Sequence, residues 1–483
     1  MAAIHDLDAI QVAAQYSSGA LSPVDVTRWC LERIAAWEPR LNAMYRVDRD
    51  GAGVDHVRAG VDHARVMASA KAAEARWRAK QPLSPLDGVP VTIKENIYTK
   101  GDPAPIGTRA NDDAPPQAAD APPPARLREA GCVILGKTTM PDFGMLSSGL
   151  SSIHGVTRNP WRLDRNTSGS SSGAGAAAAA GYAPLHLGTD IGGSVRLPAT
   201  HCGIFALKPS LGRVPTWPPY IGRVAGPMTR CVADSAALMN LLSKPDARDF
   251  MSLPFQEIDF VKGIETNSGG NLNNLRIGFL PEMKVGLPVH PEVAAAAAAA
   301  AKALQAAGAN VEEMPSFLTA DLLDGMSRFF EARSYNDYMQ MPPAKQAKVL
   351  PFIVEWCTWR AKNFSGRDVM AAYASYVALR EATTKACERY DFVLSPTSPI
   401  LPYEAELPCP GNDPHNALPH IAFTVPYNMS EQPAASLNWT FSKDGLPIGI
   451  QIIGKRFDDL GVLRLSRALE QLRPAQKPWP EPA

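Results

Sequence analysis

Residues 166–207 read NTSGSSSGAGAAAAAGYAPLHLGTDIGGSVRLPATHCGIFAL. Serines stand between glycines at the start of this stretch, an alanine run follows, and GTDIGGSVR leads into an apolar segment. Glycine allows the backbone to approach a ligand closely and to take dihedral angles that other residues avoid, but it costs entropy elsewhere. So many small residues around hydroxyl groups indicate a reaction site. The candidate nucleophiles are two glycine-flanked serines, Ser170 and Ser194.

The segments that precede this stretch alternate between strand-like and helix-like patterns. In LDGVPVTIKENI, residues 86–97, apolar residues alternate as in a strand, and Lys94 stands at the end of the alternation. Residues 125–130 then read as a helix, and residues 133–136 as a buried strand. Alternating strands and helices predict an α/β fold with a partly parallel sheet.

Two further segments are predicted outside this region. Residues 54–78, rich in alanine and arginine, predict a helix. Residues 262–274 read KGIETNSGGNLNN and predict a polar linker.

Length and charge exclude several classes of protein. A chain of 483 residues is long enough for one large α/β unit with insertions, or for two domains. Its 48 basic and 48 acidic residues cancel, so there is no net field to attract nucleic acid or an acidic membrane. The N-terminus shows no secretory signal and no apolar run is long enough to span a bilayer, so we expect a cytoplasmic protein without nucleic-acid or membrane partners.

The cysteines show no sign of disulfide or zinc chemistry. They are odd in number, scattered and free of any CxxC spacing: Cys30, Cys132, Cys202, Cys231, Cys357, Cys387 and Cys409. This pattern favours buried thiols in a reducing compartment. No group of histidine, cysteine and carboxylate residues has ligand spacing, so we expect no metal.

One alternative for the serine block is a nucleophile elbow. GSSSG, residues 169–173, fits G-x-S-x-G and would make the chain an α/β-hydrolase esterase with Ser171 as the nucleophile. That motif requires a strand directly before it. The preceding residues, NPWRLDRNTS, are polar and typical of a turn, which disfavours the elbow.

The chain resembles the amidase signature family over most of its length, in motifs that follow one another in order. They are LDGVPVTIKENI, GKTTMPDF, the serine block with GTDIGGSVRLPATHCGIFALKPS, GPMTRCVADSA, DFVLSPTSP, FTVPYNMSEQPAAS and DGLPIGIQIIG. The resemblance implies a three-layer α/β/α fold in which helices cover both faces of a large mixed twisted sheet. It also implies a single catalytic domain over residues 1–483, with the signature core at 60–240 and a variable helical substrate cap at 310–390.

The resemblance further implies a Ser–Ser–Lys catalytic triad. Ser194 would be the nucleophile, Ser170 the bridging serine after a cis peptide bond, and Lys94 the neutral lysine that takes the proton. The chemistry is coherent, because a serine hydroxyl needs an adjacent base and lysine loses its proton readily when it is buried. The resemblance implies no metal and no organic cofactor.

Other residues of the block receive supporting roles from the same resemblance. The oxyanion hole would be formed by the backbone amides of Ile191, Gly192, Gly193 and Ser194. We expect Ser171, Asp190 and Arg196 to support the loop. This chain departs from the family pattern, since Ser168 and Ser172 replace glycines and Ala174 replaces a serine.

Aromatic residues in the expected cap suggest the type of substrate. They form two groups in the sequence: Phe329, Phe330, Tyr335, Tyr338, Met339 and Met341, then Phe352, Trp356, Trp359 and Phe364. Core packing is one interpretation; the other is a wall for a bulky apolar or aryl substrate, to which Trp217 and Tyr220 would add.

We therefore expect an amidase of the EC 3.5.1 type, acting through an acyl-enzyme on small-molecule carboxamides and extending to esters or carbamates (urethanes). We expect a monomer or homodimer. Two alternatives are a glutaminase-type subunit of a tRNA-dependent amidotransferase and a catalytically silent scaffold.

Overall fold

The computed structural model describes residues 4–45, 63–265 and 272–482. The predicted helix over residues 54–78 is observed from His63 to Arg78, and its first part lies outside the described residues. The predicted linker begins inside a short helix, Phe260–Glu265, and residues 266–271 also lie outside the description.

The described residues form both strands and helices. The strands are β1 Pro90–Lys94, β2 Val133–Thr138, β3 Leu150–Ser151, β4 Gly155–Val156, β5 Arg158–Asn159, β6 Arg162–Asn166, β7 Leu185–Asp190, β8 Phe205–Lys208, β9 Val224–Thr229, β10 Arg276–Phe279, β11 Asn310–Glu313, β12 Phe392–Pro396, β13 Ala434–Phe441 and β14 Pro447–Gly454. The helices are α1 Ala9–Ser18, α2 Pro23–Leu41, α3 His63–Arg78, α4 Pro122–Glu129, α5 Ser172–Ala180, α6 Arg196–Cys202, α7 Val232–Leu242, α8 Phe260–Glu265, α9 Pro291–Ala306, α10 Ala320–Met339, α11 Pro343–Gln346, α12 Pro351–Thr358, α13 Gly366–Cys387, α14 Val425–Met429 and α15 Asp459–Leu472.

A ten-stranded mixed sheet runs through the described part of the chain. Its order is β11-β10-β12-β14-β13-β8-β9-β7-β1-β2. The pairs β1–β2, β1–β7, β10–β11 and β10–β12 are parallel, and the central pairs from β12 to β7 are antiparallel. The predicted mixed α/β sheet is confirmed.

The side chains of the strands pack into hydrophobic cores on both faces of the sheet. Successive residues of a strand point to opposite faces. In β12, Phe392 and Leu394 belong to one core cluster with residues of α2, α7, α9 and α15, whereas Val393 belongs to another with residues of α10 and α13. Helices therefore cover both faces, as the predicted three-layer arrangement requires.

The carboxyl ends of two neighbouring strands and the starts of two helices meet at one end of the sheet. Strands β1 and β7 are parallel neighbours, so their last residues, Lys94 and Asp190, lie at the same end of the sheet. Helices α5 and α6 begin directly after Ser171 and Val195. This arrangement brings the candidate site residues together although they are far apart in sequence.

The cysteines and the helices bear on two further expectations. All seven cysteines are free thiols, and all but Cys231 are buried. Among the described residues, no helix combines the length and the apolarity needed to cross a bilayer.

Candidate active site

Lys94 is wholly buried at the end of β1 and contacts two hydroxyl groups. Its Nζ donates to Ser170 Oγ at 2.8 Å and to Thr189 Oγ1 at 3.0 Å. Burial lowers the pKa of Lys94 to about 7, because the ammonium ion loses its hydration. Near neutral pH a large share of Lys94 is therefore neutral and can accept a proton.

Two other lysines are buried as Lys94 is, but they donate hydrogen bonds to other groups. Lys137 and Lys208 are also buried, and burial lowers the pKa of each to about 7. Lys137 donates to Ile97 O and Thr99 Oγ1, and Lys208 to Pro209 O. Of these three lysines, Lys94 is the one bonded to a serine of the block.

Ser170 and Ser194 lie on adjacent loops. The peptide bond between Gly169 and Ser170 is cis, the isomer that the resemblance implies. The next residue, Ser171, donates its backbone N–H to Ser194 O at 3.2 Å, which ties the two serine loops together. Ser170 is buried, whereas Ser194 is half-buried.

A buried ionic network supports the loop that carries Ser194. Arg196 donates to Asp190 through Nε and Nη2, both at 3.0 Å, and also to Gln451 Oε1 and Asn428 Oδ1. Burial favours the neutral acid, but the charge and hydrogen bonds of Arg196 outweigh it and hold the pKa of Asp190 well below its usual range. The carboxylate of Asp190 also accepts the backbone N–H groups of Gly193 and Val195, at 2.8 and 3.1 Å.

One predicted oxyanion donor needs correction. The N–H of Gly193 is already donated to Asp190 Oδ1, so it is engaged within the loop rather than free for a substrate. The N–H groups of Ile191, Gly192 and Ser194 have no acceptor within the described part of the chain. The candidate donors are therefore these three.

The nucleophile-elbow alternative is wrong. Ser171 is wholly buried; its Oγ donates to Thr189 O at 3.1 Å and accepts from Thr189 N at 3.2 Å. No strand leads directly into it, since β6 ends at Asn166 and pairs only with β5 among the described strands. Ser171 instead connects the start of α5 to the end of β7.

The three departures from the family pattern fit the local geometry. Ser168 has a φ of 59°, in the left-handed region that glycine occupies most easily, and its N–H donates to Asn166 Oδ1 at 2.8 Å. Ser172 Oγ donates to Thr139 O at 3.4 Å. Ala174 packs in a small core with residues of α6.

The aromatic residues of the predicted cap divide between the core and the surroundings of Tyr220. Phe329 forms a cluster with Phe330, Tyr373 and Tyr376, at ring distances of 5.8, 6.3 and 6.2 Å. Tyr220 adjoins this cluster, because Arg333 stacks on both Tyr220 and Phe330.

Several residues of the second group have other neighbours. Trp356 is buried in the core, Trp359 stacks on His415, and Phe364 lies beneath Arg328. Only part of the predicted wall therefore lies beside Tyr220.

Several polar residues that stabilise the site through hydrogen bonds were not identified from the sequence. Thr189 accepts from both Lys94 and Asn96, and Thr424 Oγ1 donates to Gly192 O at 2.6 Å. Asn428 Nδ2 donates to Asp190 Oδ1 at 2.8 Å. Thr424 and Asn428 lie in the FTVPYNM motif, so the motif was visible in the sequence but its role was not.

Comparison with known proteins identifies the family of this chain. The family model described as Amidase matches residues 25–463. An acylamidase of Rhodococcus erythropolis is 31% identical over 487 residues, covering 98% of this chain and 96% of that protein. A glutamyl-tRNA(Gln) amidotransferase subunit of Myxococcus xanthus (strain DK1622) is 32% identical over 497 residues, covering 96% of this chain and 97% of that protein.

A solved structure extends the likeness to the fold. The crystal structure of a bacterial aryl acylamidase of the amidase signature family has a TM-score of 0.85 and 26% identity, with 96% of each chain covered. The chain belongs to the amidase signature family and is an amidohydrolase.

Proposed function

We propose that this enzyme hydrolyses bulky or aryl carboxamides through an acyl-enzyme formed on Ser194, with Ser170 and Lys94 as its proton relay. The main support for the proposal is the 2.8 Å contact between Lys94 Nζ and Ser170 Oγ. Burial lowers the pKa of this lysine to about 7. A neutral lysine keeps a lone pair that can accept the proton of Ser170.

The reaction proceeds in two halves. Ser194 Oγ attacks the carbonyl carbon while its proton passes to Ser170 and the Ser170 proton passes to Lys94. The N–H groups of Ile191, Gly192 and Ser194 stabilise the oxyanion; removing one such donor typically costs about 3 kcal/mol. Lys94 then returns the proton through Ser170 to the departing nitrogen, and water hydrolyses the acyl-enzyme with the same relay.

Esters and carbamates (urethanes) are further substrates, since they pass through similar tetrahedral intermediates. The preference for bulky or aryl groups is supported by the cluster of Phe329, Phe330, Tyr373 and Tyr376 beside Tyr220. The similarity to proteins called acylamidase and aryl acylamidase supports it too.

A second candidate function rests on the relatives named as subunits of glutamyl-tRNA(Gln) amidotransferases. In that role the chain would release ammonia from glutamine within a complex. The test is a substrate panel of an aryl anilide, acetamide, glutamine and an aryl ester, measured on the wild type and on Ser194→Ala. Turnover of the anilide that Ser194→Ala abolishes supports the proposal; turnover of glutamine alone supports the second candidate.

A further inference from the structure

Two arginines, Arg223 and Arg333, flank Tyr220 beside the candidate site. Their guanidinium carbons lie 5.9 and 4.9 Å from the centroid of the Tyr220 ring. Arg333 also lies over Phe330, at 5.9 Å. The two cations therefore share one aromatic platform, although they come from distant parts of the chain.

Arg223 reaches the site from the sheet. It directly precedes β9, whose first residue, Val224, pairs with Asp190 at the start of the nucleophile loop. Arg223 also lines a small cavity together with Asn96, Thr189 and Trp217. Thr189 is the residue that accepts a hydrogen bond from Lys94, so Arg223 lies one side chain away from the proton relay.

Arg333 reaches the site from the helical cap. It lies on α10, and its Nη2 contacts Met145 Sδ at 3.3 Å. Gly144, the neighbour of Met145, is so close to Ser170 that a Cβ atom there would be 3.2 Å from Ser170 Oγ. Arg333 therefore lies beside the segment that contacts Ser170.

Within the described residues, neither arginine has a carboxylate within ion-pair distance; Arg223 donates instead to the neutral carbonyl oxygen of Pro218. Four other half-buried or buried arginines pair with a carboxylate, whereas Arg230 and Arg464 donate to backbone carbonyl oxygens; the four pairs are Arg196 with Asp190, Arg213 with Asp459, Arg360 with Glu331 and Arg380 with Glu431. Asp249, which acts on Arg223 through its charge, is occupied by the backbone N–H groups of Thr216 and Met251.

The environment of the pair is also unfavourable without an anion. Arg333 Nε is buried and has no hydrogen-bond partner in the described structure. Burial and the charge of Arg333 lower the pKa of Arg223. Two half-buried cations without a counter-ion are costly, and a bound anion removes that cost. The hydroxyl of Tyr376, buried in the adjoining aromatic cluster, likewise has no partner within the described residues.

We infer that Arg223 and Arg333 bind a carboxylate of the substrate, so that the preferred substrates are amides that carry a carboxylate in addition to the scissile bond. A guanidinium group matches the planar carboxylate with two parallel hydrogen bonds and stacks on aromatic rings at the same time. The inference rests on the proposed function and names the class of amide that it favours.

The test compares matched pairs of substrates. The first pair is the 4-nitroanilide of glutaric acid, with a free acyl-side carboxylate, and the neutral 4-nitroanilide of pentanoic acid. The second pair is 4-acetamidobenzoate, which carries its carboxylate on the amine side, and neutral 4-methylacetanilide. In at least one pair the carboxylate should raise kcat/KM by about 10-fold to 100-fold, as hydrogen bonds to a charged group do.

Variants assign that preference to the two residues. Arg223→Met and Arg333→Met should each reduce the ratio of kcat/KM between charged and neutral substrates, and the double variant should bring it close to one. Arg328→Met is the matched control: it removes an arginine of the same helix that pairs with Asp324, and it should keep the wild-type ratio. A ratio near one in the wild type, or a ratio that survives the double variant, would overturn the inference.

The two proposals fail in different ways. Hydrolysis of the neutral anilides without any carboxylate preference removes the inference and leaves the proposed function intact. If no anilide is hydrolysed, the proposed function fails, and calorimetry with Ser194→Ala still tests the subsite. In that experiment, the subsite is supported if the charged member of a pair binds more tightly and if the double arginine variant loses this difference. Equal binding of both members contradicts the subsite.

Discussion

The carboxylate of Asp190 and the guanidinium of Arg196 form a wholly buried ion pair, with Nη2 at 3.0 Å from Oδ1. The pair lies directly beneath the loop that carries Ser194, because Asp190 also accepts the N–H groups of Gly193 and Val195. The position of the candidate nucleophile therefore depends on a charge that water cannot reach.

Arg196→Met should destabilise the protein and slow the reaction. It leaves the Asp190 carboxylate buried and unpaired, which typically costs about 3–5 kcal/mol. Urea unfolding measures the loss of stability, and kcat is measured at a temperature where the variant stays folded. Arg213→Met is the matched control, since it breaks another buried pair, with Asp459, away from the loop. It should lose stability and keep kcat; equal losses of kcat in both variants would contradict the role of the Asp190–Arg196 pair.

Ser194→Ala should abolish turnover while the fold persists. Loss of a nucleophile is expected to reduce kcat by about 10⁴-fold or more. Circular-dichroism melting checks that the variant is folded. Ser172→Ala, which removes only a hydroxyl bonded to Thr139 O, is the control and should remain active. If Ser194→Ala were mild and Ser171→Ala abolished turnover, the assignment of Ser194 would be wrong.

The activity should rise with pH through the lowered pKa of Lys94, about 7. The neutral amine is the competent base, so kcat/KM follows its deprotonation in the free enzyme. Lys94→Ala should reduce hydrolysis of an amide more than that of an activated ester with the same acyl group, because an amine leaving group needs the returned proton and a phenoxide does not. Rates on both substrates, measured at intervals across the neutral and alkaline range, test this.

Lys208→Met provides the comparison for that experiment. It removes a lysine of similar burial and lowered pKa that bonds to Pro209 O rather than to a serine of the site. This variant should keep the wild-type pH profile. Equal fractional losses on amide and ester in Lys94→Ala, with an unchanged profile, would make Lys94 a structural residue.

The stability of the fold should increase with pH between about 7 and about 8, below the range in which unfolded cysteines would lose protons that the buried thiols, with raised pKa values, keep. In this window Lys94, Lys137 and Lys208 are neutral in the folded state, with pKa values of about 7, whereas an unfolded lysine stays protonated up to about 10.4. The unfolded state therefore binds more protons, so the free energy of unfolding rises with pH. Urea unfolding at intervals across this window measures the slope. Lys137→Met should reduce this slope. A free energy of unfolding that stays constant or falls with pH in the wild type would contradict the lowered pKa values.

An aryl anilide should be a better substrate than acetamide, with kcat/KM at least about 10-fold higher, which corresponds to roughly 1.4 kcal/mol of apolar contact. Phe329→Ala should narrow this difference, because Phe329 joins the aromatic cluster beside Tyr220. Phe364→Ala is the control, since Phe364 lies beneath Arg328 instead. Equal or better turnover of acetamide would count against an aryl-binding wall.

Much of the fold and site could be predicted from local patterns. Alternation before Lys94 predicted β1, and the glycine- and serine-rich block indicated Ser170 and Ser194. One expected oxyanion donor differs, because its backbone group had more than one possible partner. Gly193 was expected to donate to a substrate, but Asp190, only three residues earlier, accepts its N–H.

The sequence by itself indicated the mixed α/β class, strand β1 and the chemistry available at the motifs, because spacing and residue type act locally. The motif around Lys94 pointed to it in the sequence, but only the tertiary structure showed that Lys94 contacts Ser170 and that Lys137 and Lys208, equally buried, bond to other groups. The tertiary structure alone also brought Arg223 and Arg333 to one aromatic ring, Tyr220, with no carboxylate of the described residues within ion-pair distance. Burial and the proximity of distant charges set pKa values and ion pairing, and both arise only when the sheet and the cap pack together.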